Sequence, residues 1–327
     1  MGPDARLLPR RRVGRVDRVD AGPIRTLLYT PGDQEKRIAT NVRSGADALF
    51  LDIEEPRTPC PEKVRVRARG LVREFLDSAP TGPGAPVYFV RVQPVASGMI
   101  LRDLSAVMGP NLTGILLPKI TGPADVHAAD AILRCAEVEA GIPAGTTMLY
   151  PILENAEAIR NAYEIAMASP RVAYMGGAVS RFGDIVADVG FRWTRAGTET
   201  LFIREKVLID ARAAGIRYPI SGMWGGANDD LEGLRAWCAE LRDIGYFGMM
   251  LGNQDHTMLV NAAFTPSPED VAFWKELDRL TRAAEASGDR VLHGDPNQGE
   301  GHEVHIAHVA TARKLLGWAR ELGIDVS

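Results

Sequence analysis

Short, almost unbroken apolar runs recur along the chain, each followed by a longer stretch whose apolar positions fall at helical spacing. The runs are RTLLYTPG (25–32), ALFLDIE (48–54), VYFVRV (87–92), GILLPKI (114–120), TMLYPILE (147–154), VAYMGGA (172–178), YPISGM (218–223) and GYFGMML (245–251). A strand with one face in water alternates apolar and polar residues. Runs without that alternation mark strands covered on both faces, as in a parallel sheet flanked by helices. The segments between them carry helix signals. In DLEGLRAWCAELRDIG, Leu231, Leu234, Trp237, Cys238 and Leu241 share one helical face, with acids at the start and Gly245 at the end. Eight strand-then-helix units predict an α/β fold of the (β/α)8 TIM-barrel type. A doubly wound open sheet is the competing architecture. No G-x-G-x-x-G follows the first strand, and GDQEKR after Pro31 lacks the glycine spacing and Lys-Ser/Thr ending of a phosphate loop.

Three segments follow from this pattern: a flexible basic arm over 1–22, a barrel over 23–264 and a helical extension over 265–327. In the extension, TPSPEDVAFWKELDRLTRAAEASG predicts a capped helix, with Ser267 three residues before Asp270. A loop, HGDPNQGEGHE, leads to a final helix, HVATARKLLGWARELGI. The extension reads as a lid on a neighbouring subunit or as packing on the barrel.

The composition is that of a globular chain: 327 residues, 46% hydrophobic, enough for one large core and an appendage. A net charge of −4 leaves no global argument for nucleic acid. The N-terminal RLLPRRRVGRVDR is basic but has no apolar core of a signal peptide, and no membrane-length apolar run follows. The expectation is a cytoplasmic protein with no membrane partner. Cys60, Cys135 and Cys238 are widely spaced, which argues against disulfides and thiolate metal sites. Cys135 and Cys238 are expected as small core residues.

Two carboxylates dominate the candidate chemistry. Glu154 directly follows LYPIL, and Asp184 follows VAYMGGAV by a few residues. Acids at strand C-terminal ends line the active-site rim of a parallel barrel. With few Cys or His nearby, the pair suits a hard, oxygen-seeking cation such as Mg²⁺ better than zinc. The alternative is that they merely open and cap helices. Asp52 and Glu54 end the second strand and point the same way. Buried acids need partners, and Arg25, Arg91 or a cation could supply them. Arg91, flanked by apolar residues, offers a fork for a substrate carboxylate or a structural pair with an acid. Lys119 ends the fourth strand as a candidate substrate-binding residue, acting as an electrostatic, ion-paired or Schiff-base lysine. Gly183, with Gly176 and Gly177, lets backbone N–H groups approach an anion. Of the histidines in the tail, His305 lies in HEVHIAH, which does not match a zinc H-E-x-x-H motif.

Taken together, these motifs resemble the citrate lyase beta-subunit and malyl-CoA lyase group of the HpcH/HpaI aldolase family. The resemblance rests on RTLLYTPGDQEKR, SGADALFLDIEEPRTPCPEK, FVRVQP, GILLPKI, ILENA, FGDIVADVG and NAAFTPSPED, in that order. It implies a TIM barrel, trimeric or hexameric, and Mg²⁺ (or Mn²⁺ in its place) on Glu154 and Asp184. It implies that Arg91 holds the carboxylate of a small 2-oxo or hydroxy acid, that Asp52 and Glu54 support the site, and that Arg25 lies close by. The implied reaction is carbon–carbon cleavage or formation of a 3-hydroxy acid or its CoA thioester through a metal-stabilised enolate. Thioester hydrolysis, aldol cleavage of free 2-oxo acids and a non-catalytic binding role are the alternatives. Where malyl-CoA lyases carry a tail acid, this chain has His305, a candidate for proton transfer, with Glu300 or Glu303 as substitutes.

Overall fold

The computed structural model describes residues 18–177, 179–288, 292–295, 299–303 and 306–326. Strands β1 (Thr26–Pro31), β2 (Ala48–Asp52), β3 (Val87–Arg91), β4 (Gly114–Leu117), β5 (Met148–Leu153), β6 (Gly176–Gly177), β7 (Ile220–Ser221) and β8 (Gly248–Leu251) close into a barrel in sequence order. Every neighbouring pair is parallel, and β8 returns to β1. Each strand lies inside one of the apolar runs. β6 and β7 are shorter than their runs. An added Cβ at Gly176 would stand 1.7 Å from the Ile220 carbonyl oxygen. Gly177, at φ +96°, then turns the chain out of extended geometry.

Around the barrel run α1 (Glu35–Asn41), α2 (Glu62–Ser78), α3 (Ile100–Val107) and α4 (Pro123–Glu139), one after each of the first four strands. α5 (Ala156–Arg160) and α6 (Ala162–Met167) share the β5–β6 connection, and α7 (Asp184–Val189) and α8 (Thr198–Ala213) share the next. α9 (Leu231–Ile244) joins β7 to β8, and α10 (Thr257–Ala263) follows β8.

The period-two alternation of strand side chains divides the core into two layers. Leu49, Leu51, Val90, Ile115 and Leu117 face outward and pack under helix residues such as Val72, Leu104 and Leu234. Ala48, Phe50, Phe89, Tyr150 and Ile152 face inward and fill the barrel. One further step of two along each strand carries Phe50 to Asp52, Phe89 to Arg91 and Ile152 to Glu154. The inward-facing apolar column thus ends in charged groups at the C-terminal mouth.

The other mouth is a structural floor. α11 (Pro268–Ser287) opens with the expected capping box between Ser267 and Asp270. An antiparallel hairpin, β9 (Leu292–Asp295) and β10 (Gly299–Glu303), leads to α12 (Ile306–Glu321). On α12, Trp318 meets Phe247 edge-to-face at 4.9 Å, and Tyr218 completes the cluster. The Tyr218 hydroxyl donates to Glu321 at 2.6 Å. Phe247 immediately precedes β8 and Tyr218 lies two residues before β7, so this contact lies at the strand starts. The segment from Arg18 to Gly22, read in sequence as part of a flexible arm, is tied to the same end. Arg18 donates to the carbonyls of Val172 at 2.6 Å, Ala166 at 2.7 Å and Ala214 at 2.9 Å. Tyr174 donates to the Gly22 carbonyl at 2.7 Å. Residues 1–17 lie outside the described residues. Cys238 is buried as expected, but Cys135 is exposed on α4, on the side of that helix turned away from buried Leu133 and Ala136. Among the described residues, no helix is long and apolar enough to cross a membrane.

Candidate active site

Asp52 and Arg91 are register neighbours at the ends of β2 and β3. Arg91 donates from Nε to Asp52 Oδ1 at 2.9 Å and from Nη2 to Oδ2 at 2.7 Å. Its Nε also stands 3.3 Å from Glu54 Oε2. Asp52 is fully buried, and a buried carboxylate is tolerable only when paired in this way. Burial works to lower the Arg91 pKa, but Asp52 and Glu54 outweigh it and hold the guanidinium above its ordinary value. It is therefore a permanent positive charge whose Nη1 takes no part in these bonds. Gln93 fixes the strand end after Arg91: its Nε2 donates to the Glu54 carbonyl at 2.8 Å.

Glu154 stands one residue beyond β5, and its Oε1 accepts the Lys119 backbone N–H at 2.7 Å. Lys119 has φ +52°, the one positive value for a non-glycine among the described residues. Its Nζ is 3.0 Å from Glu54 Oε1, 3.5 Å from Glu55 Oε1 and 3.9 Å from Asp184 Oδ2. Asp184 begins α7 directly after Gly183. Burial pushes the Glu154 carboxyl up to about 7; the Lys119 N–H and Arg91 oppose this, while Glu54 and Asp184 add to it.

Glu154 and Asp184 line two adjoining cavities. One, of about 190 Å³, has Arg91, Ser180 and Gly183 on its wall and Phe50, Ile152 and Met250 among its apolar lining. The other, of about 360 Å³, opens beside Lys119, Asn155 and Asp188. Asn155 and Asp188 already serve the backbone: Asn155 Oδ1 accepts the Ala158 N–H at 2.7 Å, and Asp188 Oδ2 the Ala156 N–H at 2.6 Å. Among the described residues no trio of His, Cys, Asp or Glu is placed to hold a metal. Two carboxylates on a shared cavity fit Mg²⁺, which binds through one or two carboxylates and fills its remaining positions with water and substrate oxygens. They do not fit a structural zinc, which needs four protein ligands.

Across residues 25–288 the sequence matches the family model described as HpcH/HpaI aldolase/citrate lyase. The chain belongs to this family. It is similar to a (3S)-malyl-CoA thioesterase of Cereibacter sphaeroides, 29% identical over 92% of this chain and 96% of the relative. It is also similar to the citrate lyase subunit beta of Leuconostoc mesenteroides subsp. cremoris, 28% identical over 82% of this chain and 85% of the relative. Its fold matches the protein CitE from Mycobacterium tuberculosis, solved in complex with magnesium, acetoacetate and coenzyme A. The TM-score is 0.65, at 23% identity, over 92% of this chain and 98% of that one.

In this HpcH/HpaI barrel the structure brings Asp52, Glu54, Arg91, Lys119, Glu154, Gly183 and Asp184 to one mouth. It does not bring Arg25 there. Arg25 precedes β1, so it belongs to the floor, where its Nε and Nη2 grip the Asp47 carboxylate at 2.8 and 2.7 Å and its Nη1 donates to Thr265 at 2.8 Å. His305 lies outside the described residues. Sequence reasoning missed Tyr29. A count of two from inward-facing Leu27 reaches it, and it packs on Phe50 at 5.4 Å. Burial, with Asp52 beside it, raises its hydroxyl pKa above the ordinary value. Ser180, lining the cavity of about 190 Å³, stood in sequence only as part of a glycine-rich turn.

Proposed function

We propose that the protein is a Mg²⁺-dependent carbon–carbon lyase that cleaves or forms a 3-hydroxy acid or its CoA thioester. The observation that carries this reading is that Arg91, Glu154 and Asp184 line one cavity at the strand C-terminal ends. Glu154 and Asp184 would hold the ion, which when bound supplies a Lewis acid that draws charge from a carbonyl oxygen. Arg91, fixed by Asp52, would present its free edge to the carboxylate of the acid and so fix its orientation. Asp52 and Glu54 keep Arg91 and Lys119 in place. The apolar residues Phe50, Ile152 and Met250 keep bulk water from the cavity floor. In the cleavage direction the hydroxyl loses its proton, its carbon becomes the carbonyl of the departing acid, and the electron pair of the broken bond stays with the other fragment. His305 is the proposed proton carrier. The magnesium, acetoacetate and coenzyme A held by the Mycobacterium tuberculosis protein support the choice of ion and ligand class. We also propose a homotrimer or homohexamer in the cytoplasm, with light scattering as the measure of assembly.

Thioester hydrolysis is a second reading, favoured by the similarity to the malyl-CoA thioesterase over 92% of the chain. One experiment separates the two. A panel of 3-hydroxyacyl-CoA thioesters and free 3-hydroxy acids is incubated with and without Mg²⁺, and carbonyl acid and free thiol are measured independently. A lyase releases carbonyl acid and no thiol; a hydrolase releases thiol and no carbonyl acid. Turnover that is indifferent to Mg²⁺ would remove the metal from either reading.

A further inference from the structure

Lys119 is placed as no other described residue is. Its backbone and its side chain each address a different one of the two carboxylates read as metal ligands. The backbone N–H donates to Glu154 at 2.7 Å from a residue held in the left-handed conformation at φ +52°. For a residue with a Cβ that conformation carries strain, which persists only where surrounding structure imposes it. The ammonium stands 3.0 Å from Glu54 and 3.9 Å from Asp184, on the wall of the cavity that Glu154 and Asp184 also line. It is a cation already lodged at the edge of the negative field that a divalent ion would enter.

We propose that Lys119 is a positioning residue that sets the cation affinity of the Glu154–Asp184 pair by two separable actions. Its strained backbone aims Glu154, and its ammonium competes with the divalent ion for Asp184. This rests on the reading of Glu154 and Asp184 as the metal pair. When the ion enters, the ammonium relinquishes Asp184 and keeps Glu54 and Glu55, so the site exchanges one weak cationic contact for a strong one. When the ion leaves, the ammonium limits the repulsion among Glu54, Glu154 and Asp184. Lys119 thus forms no bond to substrate.

The test is Mn²⁺ binding, followed by electron paramagnetic resonance of the free ion, for the wild type, Lys119→Met, Lys119→Gly and Glu154→Gln. A unit charge about 4 Å from a partly exposed carboxylate sets the scale, so Lys119→Met is expected to bind Mn²⁺ about tenfold more tightly. Its melting temperature without metal falls, and the rise on adding Mn²⁺ exceeds that of the wild type. Lys119→Gly should match Lys119→Met in affinity but melt about 2 °C higher, because glycine occupies φ +52° without strain. Unchanged or weaker binding in Lys119→Met overturns the competition, and equal melting of the two variants overturns the strain. Borohydride trapping of pyruvate on Lys119 would overturn the non-covalent role. A wild type that binds no Mn²⁺, or whose binding survives Glu154→Gln, marks instead the failure of the metal assignment beneath it.

Discussion

Replacing Arg91 by Lys keeps the charge and removes the fork. Lysine cannot donate two parallel N–H groups to Asp52, a carboxylate with no exposed surface. The variant is therefore expected to lose about 1–3 kcal/mol of stability in urea titration, from an imperfectly paired buried acid. It should also bind oxalate or a 2-oxo acid about tenfold more weakly in calorimetry, the scale of one charge-assisted hydrogen bond. Unchanged affinity would leave Arg91 a purely structural partner of Asp52. For Glu154→Gln the amide oxygen can still accept the Lys119 N–H, so the fold should hold while Mg²⁺ affinity falls by at least the roughly 10–100-fold that even outer contacts of a metal site are worth. These residues were legible because a side chain's face follows from counting by two along a strand and its height from its place in the run. Arg25 failed the second count: an arginine just before a strand's first position reaches the floor, whatever motif surrounds it. Lys119's left-handed backbone was not legible at all, since it goes with a hydrogen bond to Glu154, a contact between distant parts of the chain.

The same distinction runs through the elements. The apolar runs located all eight barrel strands, because burial on both faces leaves a local signature, but not the β9–β10 hairpin, which falls where the sequence reads as a loop. They did not foretell that β6 would shrink to two glycines, since that depends on how near β7 passes. Nor did they reveal how α4 is fastened. Glu137 near its end is wholly buried and accepts from Arg171 Nη1 and Nη2 at 2.7 Å each and from the Gly145 and Thr147 N–H groups at 2.8 Å each. Burial alone would raise its pKa, but Arg171 and the two backbone donors outweigh it and hold the carboxyl down to about 2, against an ordinary 4.5. A depressed acid stabilises the fold above its unfolded value, and that contribution disappears as pH falls through the folded one. Glu137→Gln should therefore melt well below the wild type at pH 7, because Arg171 is left buried with a weaker partner. The gap between the two proteins should close between about pH 4.5 and about pH 2. A gap constant over that range in a melting-temperature series would show that the charge of Glu137 plays no part.

At the scale of the molecule the barrel has two differently made ends. The C-terminal mouth gathers Asp52, Glu54, Lys119, Glu154 and Asp184 around open cavities. The floor is closed by apolar and hydrogen-bonded packing: Trp318 of α12 on Phe247 and Tyr218, and Arg18 on a set of carbonyls. Such a division lets stability be concentrated where nothing needs to move and leaves strain and unbalanced charge at the mouth. It also makes the ends energetically separable, because among the described residues they share no side chain. Trp318→Ala removes a side chain that is almost entirely buried, and should cost about 3–5 kcal/mol in urea denaturation. Mn²⁺ affinity should meanwhile stay within about twofold, as expected for sites with no common partner. If metal affinity falls together with stability, the extension reaches the mouth as well as the floor. That is the behaviour of a tail that packs on its own barrel through α12 and closes a neighbour's site through the segment preceding it, and the loss should then deepen on dilution below the assembly's dissociation constant.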